Sequence, residues 1–275
     1  LVEEARAATA RFTNVTVAPG DMAQISGFYD LIWCAGALYF LGVTEGLKLW
    51  RRALTTDGAV AFSEPVLASD APQAAKDFWA DYPAISDLDG ITAELVAAHE
   101  RGDDVARLCS GDPSVYSAIA EQTRRLDAAG VPWDITPGVA AYAATAARLG
   151  RELTVPEVAQ SVVLTRAQRD STAMPSGESL EAFAATGATL VLHLAIRRAR
   201  ELADRLAEHY GADCPVAVAY RVEQPEEIVL RGTLADIADQ VEEHGLRQAA
   251  VILVGRALAA EGFVESHLYS CTRDR

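Results

Sequence analysis

Cys109-Ser110-Gly111-Asp112-Pro113-Ser114-Val115-Tyr116 and Thr136-Pro137-Gly138-Val139-Ala140-Ala141 decide how this chain is read. The apolar run Val105–Leu108 ahead of the first stretch predicts a strand. Asp112 then stands where a helix N-cap belongs, with Pro113 at the first helical position, where its missing N–H costs nothing. Val115, Ile119 and Leu126 recur on one helical face until Gly130, which predicts the stop. Trp133–Ile135 predicts a second strand, turned by Pro137-Gly138 into an alanine-rich helix that ends at Gly150. Both junctions are narrowed to Gly, Ala, Ser or Pro, so a flat ligand could approach the backbone at the carboxyl ends of the strands. The plainer alternative is that small residues there only let helix and sheet pack closely.

From Arg151 the pattern is a mixed α/β domain. Strands are expected at Ser161–Arg166, Thr189–Ala195, Pro215–Val222, Glu227–Leu230 and Ala250–Val254. Helices are expected at Ile196–Gly211 and Leu234–His244, and a polar loop at Ala167–Ser179. This half, with the paired junctions before it, resembles the tetrapyrrole (corrin/porphyrin) methylase family from about Glu94 to the end. The resemblance implies an α/β, two-lobed fold and S-adenosylmethionine as cofactor. It also implies C-methylation of a tetrapyrrole, precorrin-4 at C-11 in cobalamin biosynthesis.

In that family the cofactor is held between the lobes, largely by backbone groups. The matching positions are Ser110, Gly111, Asp112 and Val115 in the first loop, Ala140 and Ala141 in the second, and His193, Leu194, Tyr220 and Arg221 in the second lobe. Asp112, Tyr116 and His193 are the candidates for moving a proton, and nothing in the sequence selects among them. Each has another reading. Asp112 caps a helix with or without a ligand, and His193 on an apolar strand can be a packed core histidine. Arg197, Arg198 and Arg200 can be a solvated helix face, or can bind substrate carboxylates, for which Arg221 is the best single candidate.

Residues 1–93 read differently. A helix is expected over Leu1–Arg11, strands at Asn14–Ala18, Tyr29–Ala35 and Ala59–Ser63, and a helix at Thr44–Leu54. Thr55–Gly58 is expected to turn, Glu64-Pro65 to end the third strand, and Asp70–Asp89 to form an irregular cover. This stretch resembles the second half of a class I S-adenosylmethionine-dependent methyltransferase, in which Asp21-Met22, Asp30 and Cys34-Ala35 would line the cofactor pocket. The glycine-rich loops with which both families begin do not occur, and the chain opens inside a helix without an initiator Met. The expectation is therefore a partial Rossmann-like segment (1–93), the remainder of a truncated first methylase lobe (94–150) and a second lobe (151–275). Reading Pro19-Gly20-Asp21 instead as the opening methylase loop leaves only eight residues before Asp30, too few for the helix that family places there.

Two further functions stay open: a class I methyltransferase acting on a small molecule, and a non-catalytic fused remnant that no longer binds cofactor. Composition limits the partners. A net charge of −15 over 275 residues argues against a nucleic-acid backbone or an anionic membrane. The four cysteines, Cys34, Cys109, Cys214 and Cys271, show no metal-ligand spacing, which fits a reducing cytoplasm without a metal site. No apolar run reaches membrane-span length. A homodimer is the expected assembly.

Overall fold

The computed structural model describes residues 2–35, 38–63, 73, 76–77, 88–102, 105–107, 109–167 and 174–264. The expected cover Asp70–Asp89 falls mostly outside them. So do Glu64-Pro65, Leu108, residues 168–173 of the polar loop and Cys271. The chain divides into two compact units, Leu1–Thr136 and Pro137–Arg275. The division therefore falls ahead of the helix ending at Leu149, which belongs with the sheet of the second unit.

In the first unit, α1 (Val2–Thr9) precedes β1 (Tyr29–Ala35), α2 (Val43–Trp50) and β2 (Leu54–Ser63), with α3 (Leu88–Glu100) and α4 (Ile119–Ala128) following. β1 and β2 pair in parallel, Ile32 beside Val60 and Cys34 beside Phe62. Period-two alternation puts Ile32 and Cys34 inward, against Leu38, Trp50 and Ala53. Trp50 donates its indole N–H to the Met22 carbonyl at 2.7 Å, so the largest side chain of this core is polar-satisfied as well as buried. Gly46 lets α2 approach Leu38 closely, because a Cβ there would lie 2.3 Å from Leu38 Cδ1 and force that side chain to shift.

Several expectations for this unit are corrected. Asn14–Ala18, Val105–Arg107 and Trp133–Ile135 form no strand. Val15, Val105, Trp133 and Ile135 are all exposed. A strand exists only through its neighbour's N–H and C=O groups, and the one described sheet of this unit has two strands, already paired to each other. β2 begins at Leu54, five residues before the expected start, so Thr55–Gly58 is strand rather than turn. The helix expected at Pro113 begins only at Ile119, after a left-handed Ala118.

The second unit follows its pattern closely. It comprises α5 (Ala141–Leu149), β3 (Val162–Arg166), α6 (Leu180–Ala184), β4 (Thr189–His193), α7 (Ala199–Tyr210), β5 (Pro215–Tyr220), β6 (Ile228–Thr233), α8 (Ile237–Glu243) and β7 (Ala250–Val254). The five strands run in the order β3-β4-β7-β5-β6. β3 and β4 are parallel, while β7 is antiparallel to both β4 and β5. β3, β4 and β5 therefore all end on the edge where β7 begins.

The sheet is apolar on both faces, which is why its strands read as continuous hydrophobic runs. Leu190, Leu192, Val216, Val218, Ile252 and Val254 meet α7 and α8 on one face. α7 presents Ala199, Leu202, Ala203, Leu206 and Tyr210 at helical spacing. Val191, Ala217, Ala219, Val251 and Leu253 meet α5 on the other. Two buried hydroxyls tie the layers: Tyr210 donates to the Ala188 carbonyl at 2.6 Å and Thr189 to the Leu153 carbonyl at 2.8 Å. Burial pushes the Tyr210 phenol up to about 12.

Candidate functional site

The first-loop residues lie in one turn of the first unit. Gly111 adopts φ +74°, and Asp112 Oδ1 accepts from the Ser114 backbone N–H at 2.8 Å and from the Ser114 hydroxyl. Asp112 thus caps a tight turn rather than a helix. Tyr116 follows with φ +54°, a left-handed conformation costly for a side chain with a Cβ, and its ring is exposed. Ser110 is exposed and Val115 half-buried.

The remaining candidates all lie in the second unit, and most gather at one end of its sheet. Ala140, buried, caps α5, and Ala141 packs on the sheet face that carries Val191 and Val251. His193 ends β4 two residues beyond Val191, so strand alternation assigns it to that same face. Leu194 comes next, with φ +55° and a relative exposure of 51%. Tyr220 ends β5, and Arg221 follows it with φ +45°. Arg221 donates its backbone N–H to the Ala249 carbonyl at 2.9 Å, and its guanidinium lies 5.4 Å from the Tyr220 ring centroid. Ala249 itself has φ +52°. Three non-glycine residues at this sheet end, Leu194, Arg221 and Ala249, are thus held left-handed. Strain of about 1–3 kcal/mol per residue persists where surrounding structure enforces it, commonly at binding sites.

Sequence reasoning identified Leu194 and Arg221 but missed Ala249, since alanine gives no sign of a left-handed backbone. It also missed the open cavity of about 490 Å³ lined by Arg148, Glu223, Gln224, Pro225 and Glu227 at the β5–β6 turn. There the hydrogen bond from Arg148 holds the Glu227 carboxyl below its usual range. Of the arginines proposed for carboxylate binding, the structure occupies three, Arg221 among them through Glu226 at 3.3 Å. Arg200 donates to Glu242 and Asp239, and Arg198 to Glu201. Among the described residues no group of His, Cys, Asp and Glu could hold a metal ion, and no helix is long and apolar enough to cross a membrane.

Burial pushes the His193 imidazole below its ordinary range. It is therefore neutral at pH 7 and able to accept a proton. In the unfolded chain its pKa returns to about 6.5, so below that pH the unfolded state binds more protons and stability is lost as pH falls toward the folded value. Thermal melting should show wild type losing more stability than His193→Gln between neutral and mildly acid pH. Carboxylates held low by arginine, such as Glu181 and Asp213, act only at lower pH. Equal pH dependence in the two proteins would remove His193 from the half-buried position assigned to it.

Residues 46–238 match the family model described as Tetrapyrrole (Corrin/Porphyrin) Methylases. The match starts upstream of Glu94, so β2 and most of α2 fall inside it. The chain is 58% identical over 188 residues to a precorrin-4 C(11)-methyltransferase of Rhodococcus erythropolis, covering 68% of this chain and 76% of that one. It is 53% identical over 183 residues to the Pseudomonas aeruginosa protein of the same name, covering 66% and 73%. Among solved structures, a cobalamin biosynthetic enzyme, cobalt precorrin-4 methyltransferase, aligns with TM-score 0.62 and 26% identity, covering 84% of this chain and 96% of that one.

Proposed function

This chain belongs to the tetrapyrrole (corrin/porphyrin) methylase family, and from that premise we propose that it methylates precorrin-4 at C-11 in cobalamin biosynthesis, with S-adenosylmethionine as donor. The observation that carries the reading is the strained sheet end of the second unit, where His193-Leu194 and Tyr220-Arg221 end two parallel-running strands. The relatives of the same name, identical over half of the aligned positions or more, support it independently.

The residues present suit the cofactor. Leu194 offers exposed apolar surface for a flat ring, Arg221 a guanidinium that a ligand carboxylate would share with Glu226, and Ala140 with Ala141 a helix start with no side chain beyond Cβ. When bound, S-adenosylmethionine supplies an electrophilic methyl on a sulfonium that leaves without acid assistance. The protein's own work is then to orient, exclude water and take the proton released from the methylated carbon. Neutral His193 can accept that proton, and the carboxylate of Asp112 and the hydroxyl of Tyr116 are the other groups proposed for it. Ser110, Gly111, Asp112 and Val115 are proposed as cofactor contacts in the first unit, with Ala140, Ala141, His193, Leu194, Tyr220 and Arg221 in the second.

We assign the same sequence divisions as proposals: 1–93 as a partial class I-like segment, 94–150 as the remainder of a truncated first lobe, and 151–275 as the second lobe. The parallel pairing of β1 and β2 is what favours the first, and the family match from residue 46 narrows it. A cytoplasmic homodimer is the proposed setting. Methyl transfer from labelled donor to precorrin-4, with the product carbon located by NMR, tests the function. Asp112→Ala and Arg221→Ala should each lower kcat/KM at least several-fold; full activity in both would remove the site assignment.

A further inference from the structure

The same sheet end carries a second feature, built from arginines. Arg148, Arg205 and Arg256 close on carboxylates of their own unit, as Arg198 and Arg200 do. Two described arginines at the entry to β7 do not. Arg197 donates its Nε–H to the Arg247 main-chain carbonyl at 3.0 Å, and no carboxylate among the described residues pairs with either guanidinium. Both residues are exposed. Arg197 sits in the one-turn helix Ile196–Arg198 that leaves β4 just beyond Leu194. Arg247 lies two residues before the strained Ala249, whose carbonyl accepts from the Arg221 backbone. One short segment, 247–249, therefore anchors the side chain of Arg197 on one side and the backbone of Arg221 on the other.

Arg197 and Arg247 thus bring two exposed guanidinium groups to one short segment of a chain of net charge −15. Internal carboxylates are abundant, yet this pair is left open to solvent. A planar guanidinium with free N–H groups binds a carboxylate bidentately, and a chain this acidic repels a polycarboxylate unless positive charge is concentrated where it lands. The geometry points to Arg197 and Arg247 as a carboxylate-binding pair that takes peripheral acid side chains of the tetrapyrrole substrate. They are specificity-determining residues that touch the substrate's rim, away from the reacting carbon. The inference rests on the methyltransferase reading above. A carboxylate could also come from the amino-acid portion of the cofactor, so the test has two arms.

The probes are uroporphyrin III, followed by fluorescence titration at low and physiological ionic strength, and S-adenosylhomocysteine, followed by calorimetry. Arg247→Gln keeps the main-chain carbonyl that Arg197 uses, so it removes charge without removing that contact. It should weaken porphyrin binding about threefold, and the Arg197→Gln/Arg247→Gln double variant about tenfold, with a smaller salt dependence. S-adenosylhomocysteine affinity should not change. Arg200→Gln, whose charge is already committed to Asp239 and Glu242, should leave the porphyrin affinity intact. Unchanged porphyrin affinity in the double variant overturns the inference, as does a wild type that binds no porphyrin. A parallel loss of S-adenosylhomocysteine affinity also overturns it, assigning the pair to the cofactor's carboxylate. Methyl transfer by wild type is measured separately: its absence sinks the function, while its presence beside an unaffected double variant sinks only the pair.

Discussion

Replacing Leu253 by alanine should destabilise the protein by about 2–5 kcal/mol, measured as urea or thermal unfolding. Leu253 has no exposed surface and sits in β7, the central strand of the five, opposite Val191 on one side and Ala217 on the other. Those neighbours are short, and the strand backbone is fixed on both edges by ladder hydrogen bonds. The vacated volume can therefore close only a little, and the cost should fall toward the upper part of that range. Leu31→Ala in β1 makes the control. Leu31 is a strand residue of the same type but 55% exposed, so its truncation should shift stability by no more than about 0.5 kcal/mol. Similar losses for the two variants would mean that the burial contrast between the sheets is not as described.

That contrast also explains which parts of the fold could be read from the residues. In the second unit each strand is an apolar run bounded by Gly, Pro or charged residues, and each has a paired neighbour. β3, β4, β5 and β7 therefore begin within one residue of their expected starts. Val105–Leu108 and Trp133–Ile135 carry the same local signal. A local signal specifies a wish for burial and says nothing of the partner strand, and among the described residues neither Val105–Arg107 nor Trp133–Ile135 has one. The helix after Asp112 failed for a different reason. Asp-Pro is a good helix start, but Asp112 satisfies its carboxylate on Ser114, and the chain passes through left-handed Tyr116 and Ala118 before α4 begins. Neither residue type advertises that conformation. Gly130 and Gly150, which do advertise it, end their helices at φ +68° and +64° as expected.

The candidate site divides along the same line. His193, Leu194, Tyr220 and Arg221 were placed by likeness to a family, and the topology shows why they come together: β4 and β5 run the same way with β7 between them. The arginines needed side-chain geometry. Arg197, Arg198 and Arg200 are indistinguishable as letters in one basic run. Only the positions of Glu201, Asp239 and Glu242 show that Arg198 and Arg200 are committed within the fold while Arg197 is turned toward Arg247.

Leu194→Gly should leave stability almost unchanged while it lowers ligand affinity. At φ +55° a leucine bears the clash of its Cβ with the backbone, about 1–2 kcal/mol, and glycine does not. Glycine's greater freedom in the unfolded chain takes back about 0.5–1 kcal/mol of this, and losing the buried half of the leucine side chain takes back about 1 kcal/mol more. The unfolding free energy should therefore stay within about 1 kcal/mol of wild type. If the position served the fold alone, glycine would be an equal replacement. If Leu194 supplies apolar surface to the cofactor, covering its exposed half on binding is worth about 1 kcal/mol, and removing it should weaken S-adenosylhomocysteine about five- to tenfold by calorimetry. Leu194→Ala separates the two terms, since it keeps the Cβ strain while losing most of the apolar surface; it should bind as weakly as the glycine variant and be the less stable of the two. Full affinity in Leu194→Gly would leave the left-handed leucine without a ligand to explain it, and would remove Leu194 from the cofactor site.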